Sequence, residues 1–359
     1  MEKRIVKFPL PVELIRRIDK AVVAGKGGLD TREQFFREAA EGFLAELSYE
    51  QAPEPVTGPE AETDPEVVAT ALHSVPAWER EELQLKDLAG TALRAPEAGT
   101  VWDSGVSEPD QEPILGLHNR DYPSLWAAAR LSRYTENGAI PFDEFRARAT
   151  KAAWMFGVQL AGLPNAGGAR LTALFPTNPS KAESSERAFQ NFAIGSVPRR
   201  RSEEGQIRAS GPLFVWRLCE LRWMEGALFV AMRPEGRELL SALAGLSLSL
   251  PHDREFAEVF LNHILTNAPG DSWGFRQLVD TVGAEPRREE IVSAVAIARP
   301  EWTLATASSI AQGYIARARE WGLLEPRLQE GKYHLTEFGE EWRSDSRTSQ
   351  PTSHRGRDE

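Results

Sequence analysis

The chain has 359 residues, 41% of them hydrophobic, and carries 42 Lys and Arg against 53 Asp and Glu for a formal charge of −11, which is enough chain for two or three domains. One cysteine, Cys219, excludes an intrachain disulfide and a Cys-based zinc site; no run reaches the roughly 18–20 apolar residues of a membrane span, and Met1-Glu2-Lys3-Arg4 does not open a signal peptide, so a reducing cytoplasm is the expected compartment. The acidic excess is local: residues 48–112 hold 15 acidic and 3 basic side chains, residues 1–47 hold 8 and 9, and the remainder balances at 30 each.

The first element is a short strand, Arg4 to Leu10. Pro11 then starts a helix with Leu14, Ile15, Ile18, Val22 and Val23 at helical spacing. Gly25-Lys26-Gly27-Gly28 ends it. Asp30 or Thr31 caps a second helix with Phe35, Ala39, Phe43, Leu44 and Leu47 on its apolar side. One strand without a ladder partner and two short helices bury too little surface to fold alone. A second copy supplies the partner strand, so residues 1–48 are expected to form a homodimer.

Strand, Leu10-Pro11-Val12-Glu13-Leu14-Ile15-Arg16-Arg17-Ile18-Asp19 and Leu29-Asp30-Thr31-Arg32-Glu33-Gln34-Phe35 together resemble the ribbon-helix-helix family of bacterial repressors, the MetJ and Arc type. The resemblance covers about an eighth of the chain and implies that the paired strands enter the major groove of double-stranded DNA. It further implies a phosphate clamp at the start of the second helix, where Thr31 and Arg32 stand. With Val6, Phe8 and Leu10 inward, Lys3, Ile5, Lys7 and Pro9 face outward. Lys3 and Lys7 suit phosphate or a guanine edge; Ile5 and Pro9 offer no hydrogen bond and depart from the family's polar reading set. A dimerisation arm without a DNA role is the alternative.

Residues 49–112 read as an acidic, largely disordered linker, with four prolines between Glu50 and Glu66. A helical body spans 113–250. In it, Asp121 is an N-cap before Tyr122-Pro123, and Pro141 opens a helix with Phe142, Phe145, Ala149, Ala152, Ala153 and Phe156 on one stripe. A loop rich in Pro, Gly, Ser and Arg follows, carrying Arg199, Arg200 and Arg201 as a phosphate-contacting patch. Leu213 to Leu221 is helix-like, Ala227 to Ala231 strand-like, and Met232 to Gly236 leads into another helix.

Residues 251–343 carry helices expected at Arg254 to Leu265, Phe275 to Val282, Arg288 to Ile297 and Ala305 to Trp321. Trp321-Gly322-Leu323-Leu324-Glu325, a hairpin turning at Gln329 to Lys332, and Leu335-Thr336-Glu337-Phe338-Gly339 follow. This order resembles a winged-helix domain of bacterial regulators. Leu335 to Gly339 is echoed 103 residues earlier by Met232 to Gly236, so the 113–250 body is read as carrying a degenerate second unit of the same kind. A winged helix meets DNA when its third helix is polar and basic outside, and protein when it is not. Ser309, Gln312, Arg317 and Arg319 with Arg327 and Lys332 of the wing are the residues suited to a duplex backbone. Residues 344–359 are expected to be a disordered tail.

No phosphate-cradling loop or metal-ligand spacing is present; Cys219 reads as a buried thiol and the tryptophans as core. No catalytic residue, metal or cofactor is assigned, and the chain is not read as an enzyme. The expected fold is mainly α: a ribbon-helix-helix dimer module, an acidic linker, and a helical body with one or two winged-helix units. The expected function is that of a dimeric DNA-binding protein, such as a transcriptional regulator. The alternative is a non-catalytic scaffold subunit of a DNA-maintenance or phage-defence complex whose winged helices bind a protein partner; an antitoxin-like repressor shares the same head.

Overall fold

The computed structural model describes residues 112–114, 120–135, 138–161, 175–177, 182–197, 209–224, 227–247 and 250–348. The amino-terminal module with Lys3, Lys7, Thr31 and Arg32, nearly all of the acidic stretch, and Arg199, Arg200 and Arg201 lie outside the described residues. What is described is mainly helical with one small sheet. No helix among the described residues is long and apolar enough to cross a membrane.

The first half begins with α1 (Tyr122–Tyr134), whose Pro123 sits in the first turn where a missing N–H costs nothing. β1 (Ile140–Pro141) leads into α2 (Phe142–Ala161), and the predicted stripe from Phe142 to Phe156 is buried along it. α3 (Ala182–Phe189) passes directly into a π-helical turn, Gln190–Ile194. After α4 (Pro212–Val215) come β2 (Cys219–Met224), β3 (Ala227–Met232) and α5 (Pro234–Ala242). The sheet is antiparallel with order β1-β3-β2, Ile140 facing Val230 and Cys219 facing Met232. The helix expected from Leu213 to Leu221 is therefore one turn followed by a strand. A run buried on every side has no polar face to set a period, so apolar spacing does not distinguish the two.

The second half contains α6 (Arg254–Asn267), α7 (Pro269–Val282), α8 (Arg288–Ala298) and α9 (Leu304–Glu320), a hairpin, and α10 (Glu337–Thr348). Thr303 caps α9 by accepting the Thr306 N–H at 3.0 Å. α10 continues through Ser344 to Thr348, which corrects the expected start of the tail. Trp342 and Ser346 are buried along it, and a helix needs only one such face.

The two halves share one backbone pattern. In the first, α4 ends on Arg217 in the left-handed region (φ 54), with Arg217 N–H bonded to Phe214 O at 3.0 Å and Leu218 N–H to Leu213 O at 2.9 Å. In the second, α9 ends on Gly322 (φ 69), with Gly322 N–H on Arg319 O at 3.2 Å and Leu323 N–H on Ala318 O at 2.8 Å. Both are Schellman closures. Each is followed by a strand pairing, Cys219 with Met232 and Leu324 with Leu335. The leucine carbonyl after each closure then accepts from the far side of its hairpin, Leu218 O from Arg233 N–H at 3.0 Å and Leu323 O from Thr336 N–H at 3.1 Å. A glycine three residues on packs against that same carbonyl: a Cβ on Gly236 would lie 2.2 Å from Leu218 O, and one on Gly339 2.1 Å from Leu323 O. The third strand has its counterpart too, since Tyr333 N–H bonds Pro286 O at 3.0 Å, just before α8, as β1 precedes α2.

One hydrophobic cluster runs from Ile114 to Trp342 and includes side chains from both halves. Trp216 of the first closure and Trp321 of the second both pack on Phe260 of α6, with ring centroids 5.1 Å and 4.2 Å away. Such pairs each add about 0.5–1.5 kcal/mol beyond their buried area. Every residue of α9 from Ile310 to its end is buried. Ala311, Gly313, Ala316 and Ala318 are small enough to let neighbours approach on all sides, which makes α9 the central helix of the body.

Candidate functional site

The closure tryptophans are crossed between the halves. Trp216 donates its indole N–H to Asp271 at the start of α7 (2.8 Å), and Trp321 donates to Asp121 at the start of α1 (2.7 Å). Arg317 of α9 lies between the two carboxylates. Its Nε donates to Asp121 Oδ1 at 2.6 Å, its Nη1 to Asp271 Oδ1 at 2.8 Å, and its Nη2 to Asp271 Oδ2 at 2.5 Å. Tyr314, one turn earlier, donates its hydroxyl to Asp271 Oδ1. Gly274 makes that possible, because a Cβ there would sit 2.0 Å from the Tyr314 ring.

Asp121 occupies the N-cap position of α1 that the sequence indicates, yet its carboxylate makes no cap bond and serves Arg317 and Trp321 instead. Glu320 takes over the capping, accepting the Asp121 N–H at 2.7 Å and the Tyr122 N–H at 2.9 Å. Its negative charge faces the positive end of the α1 dipole. His252 stands 3.3 Å from the same carboxylate and 4.6 Å from the Trp321 ring. Burial opposes the charge on Arg317, but Asp121 and Asp271 outweigh it and hold the guanidinium well above its ordinary pKa. Burial, then the neighbouring Asp271 charge, pushes the Tyr314 phenol well up.

Asp121, Asp271 and Arg317 are at most 1% exposed, so in this conformation no ligand reaches them. Their lone pairs and protons are taken up by one another. The cluster is a junction that joins the two halves. His263 extends it: with Asn267 donating to its Nδ1 at 3.2 Å, its Nε2 carries the proton and donates to the Trp216 carbonyl at 2.7 Å. Burial depresses the His263 pKa below its ordinary 6.5.

This geometry corrects three expected DNA contacts. Arg317 is inside the junction. Arg319 is 6% exposed with its guanidinium 5.2 Å from the Tyr333 ring. Gln312 is 8% exposed and accepts from Arg288 at 3.0 Å. The sequence misreads them because a helix enclosed on all sides still needs partners for its polar residues, and those partners come from distant segments. Ser309 is half-buried near the start of α9; Arg327 is exposed, and Lys332 is half-buried in the hairpin where it bridges Gln329. Among the described residues, no group of three or more His, Cys, Asp or Glu side chains is arranged to hold a metal. Cys219 is buried, and burial raises its thiol pKa.

A surface cluster that sequence reading passes over lies on α7 and the turn between α8 and α9. The Arg299 guanidinium sits 4.7 Å from the Trp273 ring and 5.2 Å from the Trp302 ring, and the two rings meet edge to face at 5.7 Å. Flanking that turn, Ile297 in the last turn of α8 is 80% exposed and Leu304 at the start of α9 is 66% exposed. The only sequence signal is aromatic and arginine residues within Ala298-Arg299-Pro300-Glu301-Trp302. The chain matches no family model, no curated protein and no solved structure.

Proposed function

We propose that the chain is a dimeric DNA-binding protein with divided labour. Residues 1–48 supply the ribbon-helix-helix dimer and its duplex contacts through Lys3, Lys7, Thr31 and Arg32. The body is a fused pair of winged-helix units whose exposed turn between α8 and α9 docks protein. The first half runs helix, short strand, two helices, one helical turn, hairpin and helix, and the second runs four helices, hairpin and helix; the shared end, a closing helix followed by hairpin and helix, supports the winged-helix reading, and the second unit keeps a full closing helix where the first keeps one turn.

The observation that carries the division is the burial of Gln312, Arg317 and Arg319. With those side chains inside, the outward part of α9 begins with Leu304 and Ala305 and offers half-buried Ser308 and Ser309, with no positive charge. Groove-reading helices present charged and polar side chains to phosphates and base edges. An uncharged face with two exposed aliphatic residues suits a protein. Arg327 and Lys332 on the hairpin are left for phosphate contacts at the edge of a duplex already held by the head.

Retention on random duplex DNA tests this. The full-length protein binds at low salt and is released as salt rises; Lys3, Lys7 and Arg32 changed together to Ala abolish retention, whereas Arg327→Ala with Lys332→Ala weakens it only slightly. A chain lacking residues 1–48 sediments as a monomer. Full-length protein that ignores DNA at low salt overturns the proposal in favour of the scaffold reading.

A further inference from the structure

We infer that Arg146 of α2 and Asn191 of the π-helical turn form a binding site for the carboxylate group of a small molecule. Arg146 Nη2 donates to Asn191 Oδ1 at 3.0 Å, which fixes the amide with its Nδ2 turned away from the guanidinium. That Nδ2 and Arg146 Nε are both buried without a hydrogen-bond partner. Asn191 is 6% exposed, and buried polar groups are paired in all but a few cases. Backbone geometry puts Asn191 there. Gly195 N–H bonds Gln190 O at 2.9 Å, five residues back, which widens the turn by one residue. A Cβ on Gly195 would lie 2.3 Å from Ser210 O, so the widened turn is pinned against the chain behind it. Such π-helical turns recur at functional sites.

Among the described residues, Arg146 forms no ion pair with a carboxylate. Asp143, three residues earlier, is exposed, and its field only partly offsets the burial that lowers the Arg146 pKa. The Phe142 ring lies 5.6 Å from the guanidinium carbon and supplies no negative charge. A half-buried cation held this way is stabilised most by an anion that also accepts its hydrogen bonds. The two open donors match the two oxygens of a carboxylate, and the one positive charge matches its single negative one. A phosphate carries more charge and a third oxygen, and would leave both in excess. Asn191 Nδ2 and Arg146 Nε are covered, so entry goes with a change of rotamer at the half-buried Arg146 side chain.

Thermal unfolding of the full-length protein at matched concentration tests the site, with acetate as the probe against chloride of equal ionic strength. A ligand that binds only the folded state raises the melting temperature by roughly 3–5 °C for each tenfold increase in concentration beyond half-saturation. The wild type shows that rise in acetate. Arg146→Lys, which keeps the charge but not the fork, loses it. So does Asn191→Asp, which keeps the shape of the side chain and sets a carboxylate beside the guanidinium in the ligand's place. A wild type that melts alike in acetate and chloride overturns the inference, as does a response retained in either variant. A larger rise in phosphate than in acetate at equal ionic strength overturns the carboxylate assignment. No DNA enters these measurements, so failure of the DNA reading and failure of this one are separate results.

Discussion

Replacing Arg317 by Met keeps most of its volume and removes the one cation between Asp121 and Asp271. Removing one partner of a buried ion pair costs about 3–5 kcal/mol, because the remaining charge is stranded. Here two carboxylates are stranded, but Asp121 keeps the Trp321 N–H, and Asp271 keeps the Trp216 N–H and the Tyr314 hydroxyl. Those donors place the loss near the lower end, about 3 kcal/mol. For a body of this size that lowers the melting temperature by roughly 6–12 °C, at 2–4 °C per kcal/mol. Calorimetry at matched protein concentration measures it, alongside a variant in which Asp121→Asn and Asp271→Asn accompany Arg317→Met. Neutral amides no longer need the guanidinium, so the triple variant recovers to within about 1 kcal/mol of the wild type. A single variant that loses less than about 1 kcal/mol refutes the junction. A triple variant as unstable as the single one shows that packing, not charge, is at stake.

Other substitutions probe the paired closures and the link at His263. Gly236→Ala and Gly339→Ala each force a Cβ onto a leucine carbonyl and cost about 2–3 kcal/mol in urea unfolding; a loss at only one of them contradicts the equivalence. Arg217→Gly relieves a left-handed residue at the position that Gly322 occupies in the other half, and stabilises by about 1 kcal/mol; no gain means the Arg217 side chain contributes as much as its strain costs. Because the folded state depresses the His263 pKa, the unfolded chain takes the proton first on acidification. That contribution is complete above about pH 6.5 and is lost as pH falls through the depressed folded value. His263→Gln, which keeps a donor for the Trp216 carbonyl, flattens the decline in stability between about pH 7 and about pH 5; an equal decline in both proteins removes His263 from the account.

How much of this is legible in sequence depends on what each residue faces. The α2 stripe and the helices from Arg254 to Ala298 are readable because each has a polar face that sets the period. The echo between Met232 to Gly236 and Leu335 to Gly339 is readable because a glycine is required where a helix meets a carbonyl. Its meaning, two closures with the same register, lies in the backbone geometry, since Arg217 stands where Gly322 stands and no composition rule pairs them. Asp121 is visible as a helix start, but its partners Arg317 and Trp321 lie some two hundred residues away. For the same reason Arg317 and Arg319 read as surface cations: sequence spacing marks a residue as polar, and only packing shows whether its partner is water or an aspartate. Ile297 and Leu304 are the converse case, apolar residues that stand in solvent.

The division of labour between head and body is tested most directly by the salt dependence of duplex binding for the full-length dimer. If Lys3, Lys7 and Arg32 of both copies contact phosphates, changing all three to Ala lessens the slope of log K against log salt by about 5, at roughly 0.9 for each of six contacts. Arg327→Ala with Lys332→Ala changes it by less than about 2. A slope that survives loss of the head's cations and collapses on loss of Arg327 and Lys332 would place the DNA contact on the body and contradict the account.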